Sequence, residues 1–409
     1  MFVVDIINKK RLGKELSYKE LDFAFNGYLD GSVKDYQMSA LLMAICINGM
    51  TDEEIYALTK IFIDSGDILE FDDDLGIIVD KHSTGGIGDK TTLVIGPIVA
   101  SCGVPVVKMS GRGLGYTGGT IDKLESIPGF KVNLTDEKIL NQVKKIGLVS
   151  SAQTANLTPL DKVIYALRDV TGTVSSVPLI AASIMSKKIA AGADKIIIDI
   201  KVGKGALLTT KEEAKKLSEL MIKIGQFYQR EVRCVISDMN IPLGYAVGNS
   251  LEVLEAIDVL KGKEYGNPFV DLCIELSTDM VSMGKEISKQ DAKLMVLDSL
   301  NKGKAYEKFL ELVREQGGDI TKIEVAEKKQ KIKADRDGVI KKIDALEVGK
   351  LSVSLGAGRK SKEDKIDYGV RIKLHKLVGE TVKKGDVLAT LYVKEKVDAS
   401  LYENIFDIK

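Results

Sequence analysis

The chain has 409 residues, 44% of them hydrophobic and 29% charged, with 59 Lys+Arg balanced by 59 Asp+Glu. That length accommodates two or three domains around a large core, and the even charge excludes the broad basic surplus that draws nucleic acid or anionic lipid. No apolar run nears the roughly 20 residues needed to span a bilayer. The N-terminus turns polar too early for a signal peptide, and Cys46, Cys102, Cys234 and Cys273 form no CxxC pair, so a cytoplasmic protein with reduced thiols is expected.

The first 65 or so residues read as helices. Ser17-x-x-Glu20 and Thr51-x-x-Glu54 have the form of capping boxes before apolar residues at helical spacing, and Gly31 and Gly49 sit where helices should stop. From Ile77 short β-rich runs alternate with helical segments: Ile77–Val79, Val104–Lys108, Lys195–Ile200 and Val232–Ser237. Such alternation predicts an α/β domain on a mostly parallel sheet, with ligand loops at the C-terminal ends of the strands. A second helical patch near 159–192 interrupts this pattern and is expected to pack back on the first helices. A ligand would then lie in a cleft between a helical and a sheet lobe. After Gly317 the texture changes to short alternating segments with turns such as Lys384-Gly385-Asp386. The expected architecture is therefore α/β and multidomain. Residues 1–70 with about 159–192 form a helical lobe, 71–158 with about 193–325 an α/β lobe, and 326–409 a small C-terminal β-rich domain.

Two glycine-dense stretches carry most of the chemical information. The first, Asp80-Lys81-His82-Ser83-Thr84-Gly85-Gly86-Ile87-Gly88-Asp89-Lys90-Thr91-Thr92, follows the Ile77–Val79 run and precedes a helix. Its glycines let backbone N–H groups turn toward a ligand, and the helix start adds partial positive charge. With Lys81, Ser83 and Thr92 the stretch suits an oxyanion such as phosphate. It is not a P-loop, because Asp89 separates Gly88 from Lys90. The second, Lys108 to Thr120, contains Gly113-x-Gly115-x-x-Gly118, a weak formal match to the dinucleotide fingerprint that lacks a placed acidic partner. Together the two could surround one small anion. His82 lies in the first stretch, where it can supply a proton near neutral pH; His375, flanked by Lys373 and Lys376, reads as a surface residue. Arg168, Ser183 and Lys187 fall in the second helical patch. Ser183 and Lys187 share a helix face that reads as either solvated or ligand-facing.

The motifs Lys81-His82-Ser83-Thr84-Gly85-Gly86, Ser110-Gly111-Arg112-Gly113-Leu114-Gly115, Thr117-Gly118-Gly119-Thr120-Ile121-Asp122-Lys123-Leu124-Glu125-Ser126 and Ser183-Ile184-Met185-Ser186-Lys187-Lys188 resemble, in order, the signatures of the pyrimidine-nucleoside and thymidine phosphorylases. The likeness runs from the helical start to Leu355-Gly356-Ala357-Gly358-Arg359. It implies a homodimer contacting through the helical lobes and reversible phosphorolysis of uridine, thymidine and deoxyuridine in pyrimidine salvage. Inorganic phosphate would be the co-substrate, with no organic cofactor. By resemblance, Lys81, Ser83, Thr92, Ser110 and Thr120 would hold phosphate. Arg168, Ser183 and Lys187 would grip the pyrimidine, and His82, Arg168 and Lys187 would act in catalysis. Lys108, before Met109, resembles the members that accept both uridine and thymidine. Three positions depart from the family pattern: Tyr116 where His is usual, Ser151-Ala152-Gln153-Thr154 where Gly-Gln-Thr is usual, and Lys90 where Thr or Ser is usual. The last matters because bacterial members often bind K⁺ there, and Gly88, Leu243, Ala246 and Glu255 match that site while Lys90 does not. The expectation is that the Lys90 ammonium takes the cation's place and pairs with Glu255.

Overall fold

The computed structural model describes residues 1–113, 115–116, 118–154, 156–263, 266–359 and 364–409. Four helices open the chain: α1 (Val3–Arg11), α2 (Tyr18–Leu29), α3 (Asp35–Asn48) and α4 (Asp52–Asp64). There follow β1 (Val79–Ser83), α5 (Thr91–Ser101), β2 (Val106–Ser110), α6 (Thr120–Glu125), α7 (Asp136–Ile146) and β3 (Leu148–Ala152). Helices α8 (Pro159–Thr171) and α9 (Val177–Ala190) lead into β4 (Lys195–Val202), α10 (Lys211–Phe227), β5 (Glu231–Asp238) and β6 (Ala246–Val247). Four helices come next: α11 (Asn249–Leu260), α12 (Pro268–Lys285), α13 (Lys289–Asn301) and α14 (Lys304–Glu315). The C-terminal part comprises β7 (Lys328–Lys333), β8 (Gly338–Ile343), α15 (Ala345–Leu355), β9 (Arg371–Leu374), β10 (Thr381–Val382), β11 (Val387–Val393) and β12 (Phe406–Ile408).

The chain divides into two compact units. One comprises Met1–Asp74, Thr154–Ile198 and Lys211–Cys234; the other comprises Leu75–Gln153, Asp199–Thr210 and Val235–Lys409, so the C-terminal β-rich segment belongs to the second unit. In the first unit both predicted capping boxes form, each Ser or Thr hydroxyl accepting from the Glu three residues on. Glu54 does more than cap: its buried carboxylate accepts Lys10 Nζ at 2.7 Å and Leu16 N at 2.8 Å, tying α1 to α4. Helix α4 also packs on α9, and α3 on α8.

In the second unit β2 and β3 pair in parallel, with Val106 opposite Leu148 through to Ser110 opposite Ala152. A second sheet has the order β1-β4-β5. Helix α5, apolar on all sides, packs against α11, α12 and α14. The C-terminal part holds an antiparallel sheet of order β6-β9-β11-β7 and another of order β10-β8-β12. The short β6 is lent to the C-terminal sheet from the α/β region, with Ala246 opposite Lys373 and Val247 opposite Ile372.

The strand positions correct the sequence reading. The first strand spans Val79–Ser83, not Ile77–Val79, and the second Val106–Ser110 rather than Val104–Lys108. Apolar patterning stops at Val79 because Asp80 and Lys81 are charged. They stay in the strand because each has a buried partner: Lys108 Nζ lies 3.6 Å from Asp80, and Asp199 lies 3.7 Å from Lys81 Nζ. The β3 strand was not anticipated, since Leu-Val-Ser-Ser-Ala alternates too weakly to register on its own.

Candidate active site

Lys81, His82 and Ser83 lie on β1, not in the loop. Strand alternation puts Lys81 and Ser83 on one face and His82, half-buried, on the other with Asp80. The glycine loop then turns into α5, whose first residues are Thr91 and the half-buried Thr92. Asp89 is the hub of this turn. Its carboxylate accepts from Ser83 Oγ, and from Thr91 Oγ1 at 2.6 Å, while Lys81 Nζ donates to the same Thr91 hydroxyl at 2.6 Å. Burial pushes the Asp89 carboxyl up, but the charges of Lys81, Lys201 and Lys123 and the Ser83 hydrogen bond outweigh it and hold the pKa well below the usual range. Lys201, fully buried 2.7 Å from Asp199, moves the opposite way: burial lowers its pKa, yet Asp89 and Asp199 raise it overall. Lys81, Thr92 and Lys108 line one cavity floored by Leu93, Leu124 and Phe309.

Ser110 ends β2 with its hydroxyl buried and without a hydrogen-bond partner among the described residues. An orphaned buried hydroxyl is costly unless a ligand satisfies it. Thr120 opens α6, and the two residues after Ile121 brace the loops. Asp122 accepts Gly113 N at 2.7 Å and Arg359 at 3.0 Å; Lys123 Nζ donates to the carbonyls of Asp89 at 2.7 Å and Gly118 at 3.0 Å and pairs with Glu252 at 3.1 Å. Asp89 and Lys123 were missed as site residues, although both lie inside the motifs that flagged the loops. Leu114 and Thr117 of those motifs lie outside the described residues.

The other cluster belongs to the first unit. The solvated reading of the Ser183–Lys187 face is wrong: Ser183 is 3% exposed and the Lys187 side chain 16%, and Arg168 on α8 is buried as well. Arg168 donates to the carbonyls of Thr173, Val174 and Leu179. Lys187 Nζ donates to Ser183 Oγ at 2.9 Å, as the four-residue spacing predicted, and to Asp161 at 2.6 Å. Arg168 and Lys187 flank the Tyr165 ring at 5.7 and 5.6 Å from its centroid. Asp161 and Tyr165 escaped the sequence reading, since a carboxylate and a phenol on a helix carry no motif. Two adjacent cations over one aromatic ring suit a planar ligand on which negative charge develops.

Residues 75–306 match the glycosyl transferase family a/b domain, 4–66 its helical bundle domain, and 339–405 the pyrimidine nucleoside phosphorylase C-terminal domain. The pyrimidine-nucleoside phosphorylase of Bacillus subtilis is 50% identical over 99% of this chain and 96% of its own length. That of Geobacillus stearothermophilus is 49% identical over the same shares. This chain belongs to the pyrimidine-nucleoside phosphorylase family. The crystal structure of anthranilate phosphoribosyltransferase from Thermus thermophilus shares the fold, with a TM-score of 0.60 at 18% identity, covering 76% of this chain and 99% of that one.

As a phosphorylase-family member, the chain can be tested for the monovalent cation that the resemblance implies at Gly88, Leu243, Ala246 and Glu255. The residues present do not fit a bound ion. Lys90 Nζ lies among them, 2.9 Å from the Gly88 carbonyl, 2.6 Å from Leu243, 3.0 Å from Ala246 and 2.8 Å from Glu255 Oε2. Of the other departures, Tyr116 is 47% exposed, and Ser151 Oγ donates to the Val132 carbonyl at 2.8 Å.

Replacing Ser110 by alanine should raise the phosphate KM roughly tenfold or more, the worth of a hydrogen bond to a charged group. Without phosphate it should leave the melting temperature unchanged or slightly raised, because the buried hydroxyl has no protein partner to lose. Steady-state kinetics with phosphate as the varied substrate checks this; an unchanged KM would remove Ser110 from the site.

Proposed function

We propose that the chain catalyses reversible phosphorolysis of pyrimidine nucleosides (uridine, thymidine and deoxyuridine) to free base and (deoxy)ribose 1-phosphate, in pyrimidine salvage. The observation that carries this reading is near-full-length likeness to proteins named pyrimidine-nucleoside phosphorylases, and the two residue clusters agree with it. A phosphate oxygen attacks C1′ as the C1′–N1 bond breaks, so the sugar gains oxocarbenium character and the electron pair departs with the base. Lys81, Ser83, Thr92, Ser110 and Thr120 hold and aim the phosphate. Already an anion, it needs no general base and no organic cofactor. Arg168 and Lys187 stabilise the charge that builds on the pyrimidine, Ser183 orients it, and His82 donates a hydrogen bond to its O2.

Lys108 supports a broad substrate range, because a cationic amine near the pentose can hydrogen-bond a 2′-hydroxyl. A homodimer through the helical lobe is supported by the exposed stripe Tyr36, Met43 and Ile47 on α3, 73%, 40% and 75% accessible. A cytoplasmic setting is part of the same proposal; among the described residues no helix is long and apolar enough to cross a membrane.

The decisive experiment follows the ultraviolet change on cleavage of uridine and thymidine with and without phosphate. Both nucleosides should be cleaved only with phosphate, at comparable kcat/KM. Phosphate-independent cleavage would indicate a hydrolase and overturn the mechanism. Uridine turnover orders of magnitude below thymidine would sink the role given to Lys108.

A further inference from the structure

The Lys90 side chain is fully buried, and its ammonium faces three backbone carbonyls and a carboxylate. Such a set of oxygens is what a hard monovalent cation binds. Ammonium and potassium ions are close in size and equal in charge, so one cradle serves either. The backbone around it is shaped to fit. Gly88 and Gly244 adopt φ of +73° and +76°, and a Cβ on Gly244 would stand 2.7 Å from the Glu255 carboxylate and 3.0 Å from Lys90 Nζ. Glu255 is held in place independently, accepting Tyr245 N at 2.7 Å and Ala246 N at 2.9 Å. The Phe269 ring closes the far side, 4.8 Å from the nitrogen.

We propose that Lys90 is a built-in monovalent cation, and that this chain neither binds nor requires K⁺ at the site where its relatives' pattern calls for it. A diffusible ion stabilises the fold only as far as its concentration exceeds its dissociation constant. A tethered ammonium fills the cradle at every ionic composition and carries no cost of capturing a free ion. It also fastens two segments at once. Gly88 belongs to the phosphate loop, and Ala246 belongs to β6, which pairs with β9, while Leu374 N donates to the Tyr245 carbonyl at 2.7 Å. Lys90 thus links the anion loop to the C-terminal sheet.

The test compares the full chain with Lys90→Thr and Lys90→Met in KCl and in choline chloride at equal ionic strength, reading the melting temperature and kcat/KM. For the native chain both should agree between the two salts, kcat/KM to within about twofold. Lys90→Thr opens the cradle, so its melting temperature should be depressed in choline chloride and recover by at least about 4 °C as KCl is added. Lys90→Met fills the space without charge and should be depressed with no recovery. A native chain that melts lower in choline chloride, or a Lys90→Thr variant indifferent to K⁺, overturns the proposal. If neither variant folds in any salt, crystals of the native chain soaked in thallous ion decide. No anomalous peak among Gly88, Leu243 and Ala246 supports the built-in cation, and a peak there refutes it. None of these readouts except kcat/KM depends on the substrate assignment.

Discussion

Replacing Arg168 by glutamine is expected to lower kcat/KM for nucleoside phosphorolysis by roughly 10²–10³-fold, the usual cost of removing one preorganised group from a site of developing negative charge. The loss should fall mainly on kcat, because the neutral ground-state base gains little from a cation while the departing anionic base gains much. Burial draws the Arg168 pKa down and the nearby Asp161 and Tyr165 oppose that, but a guanidinium remains charged throughout the accessible pH range. The side chain also donates to the carbonyls of Thr173, Val174 and Leu179, which close the turn between α8 and α9. The variant should therefore melt several degrees lower, and kinetics should be taken well below that transition. Lys at this position restores charge without the fork and should recover only part of the rate. A folded Arg168→Gln enzyme with near-native kcat would show that this arginine is structural alone.

Replacing Asp89 by asparagine is expected to destabilise the fold by about 3 kcal/mol, the low end for breaking a buried charge pair, because Asp89 keeps some solvent exposure. It removes a negative charge that Lys81, Lys123 and Lys201 all feel, leaving Asp199 to serve Lys81 and Lys201 and Glu252 to serve Lys123. The pH dependence identifies the cause. Asp89 has a folded pKa below its unfolded one, near 3.9 for a free aspartate, so its contribution is complete above the unfolded value. It fades as pH falls through the depressed folded value. The stability gap between native and variant chains should be constant from neutral pH down to about 5 and narrow only in stronger acid. Urea unfolding across this range measures it. A gap that closes already between pH 7 and 5 would assign the effect to another group.

How far the sequence went can be judged from particular residues. Spacing alone placed the capping boxes at Ser17 and Thr51, the shared face of Ser183 and Lys187, and the alternation that predicts an α/β lobe, because these depend on local geometry. The position of β1 was misread, because Asp80 and Lys81 are stabilised by Lys108 and Asp199, which local patterning cannot see. Asp161 and Tyr165 were invisible for a similar reason: they share α8 with Arg168, and their relation to Lys187 on α9 exists only once those two helices pack. Lys90 is the opposite case. Its oddity was legible as a mismatch in one loop, and its placement beside Glu255 agrees with the expectation raised there.

Helix α6 has only 6 residues, too few to persist by its own hydrogen bonds. It holds because Asp122 grips one glycine loop through Gly113 while Lys123 grips the other through the Asp89 carbonyl. Local unfolding of either loop should therefore loosen α6 and weaken its hold on the other loop, coupling the three segments in one cooperative unit, although Arg359 and Glu252 also hold the helix. An anion bound as proposed would then meet two loops already ordered together, and the free energy of binding would not be spent assembling them one at a time.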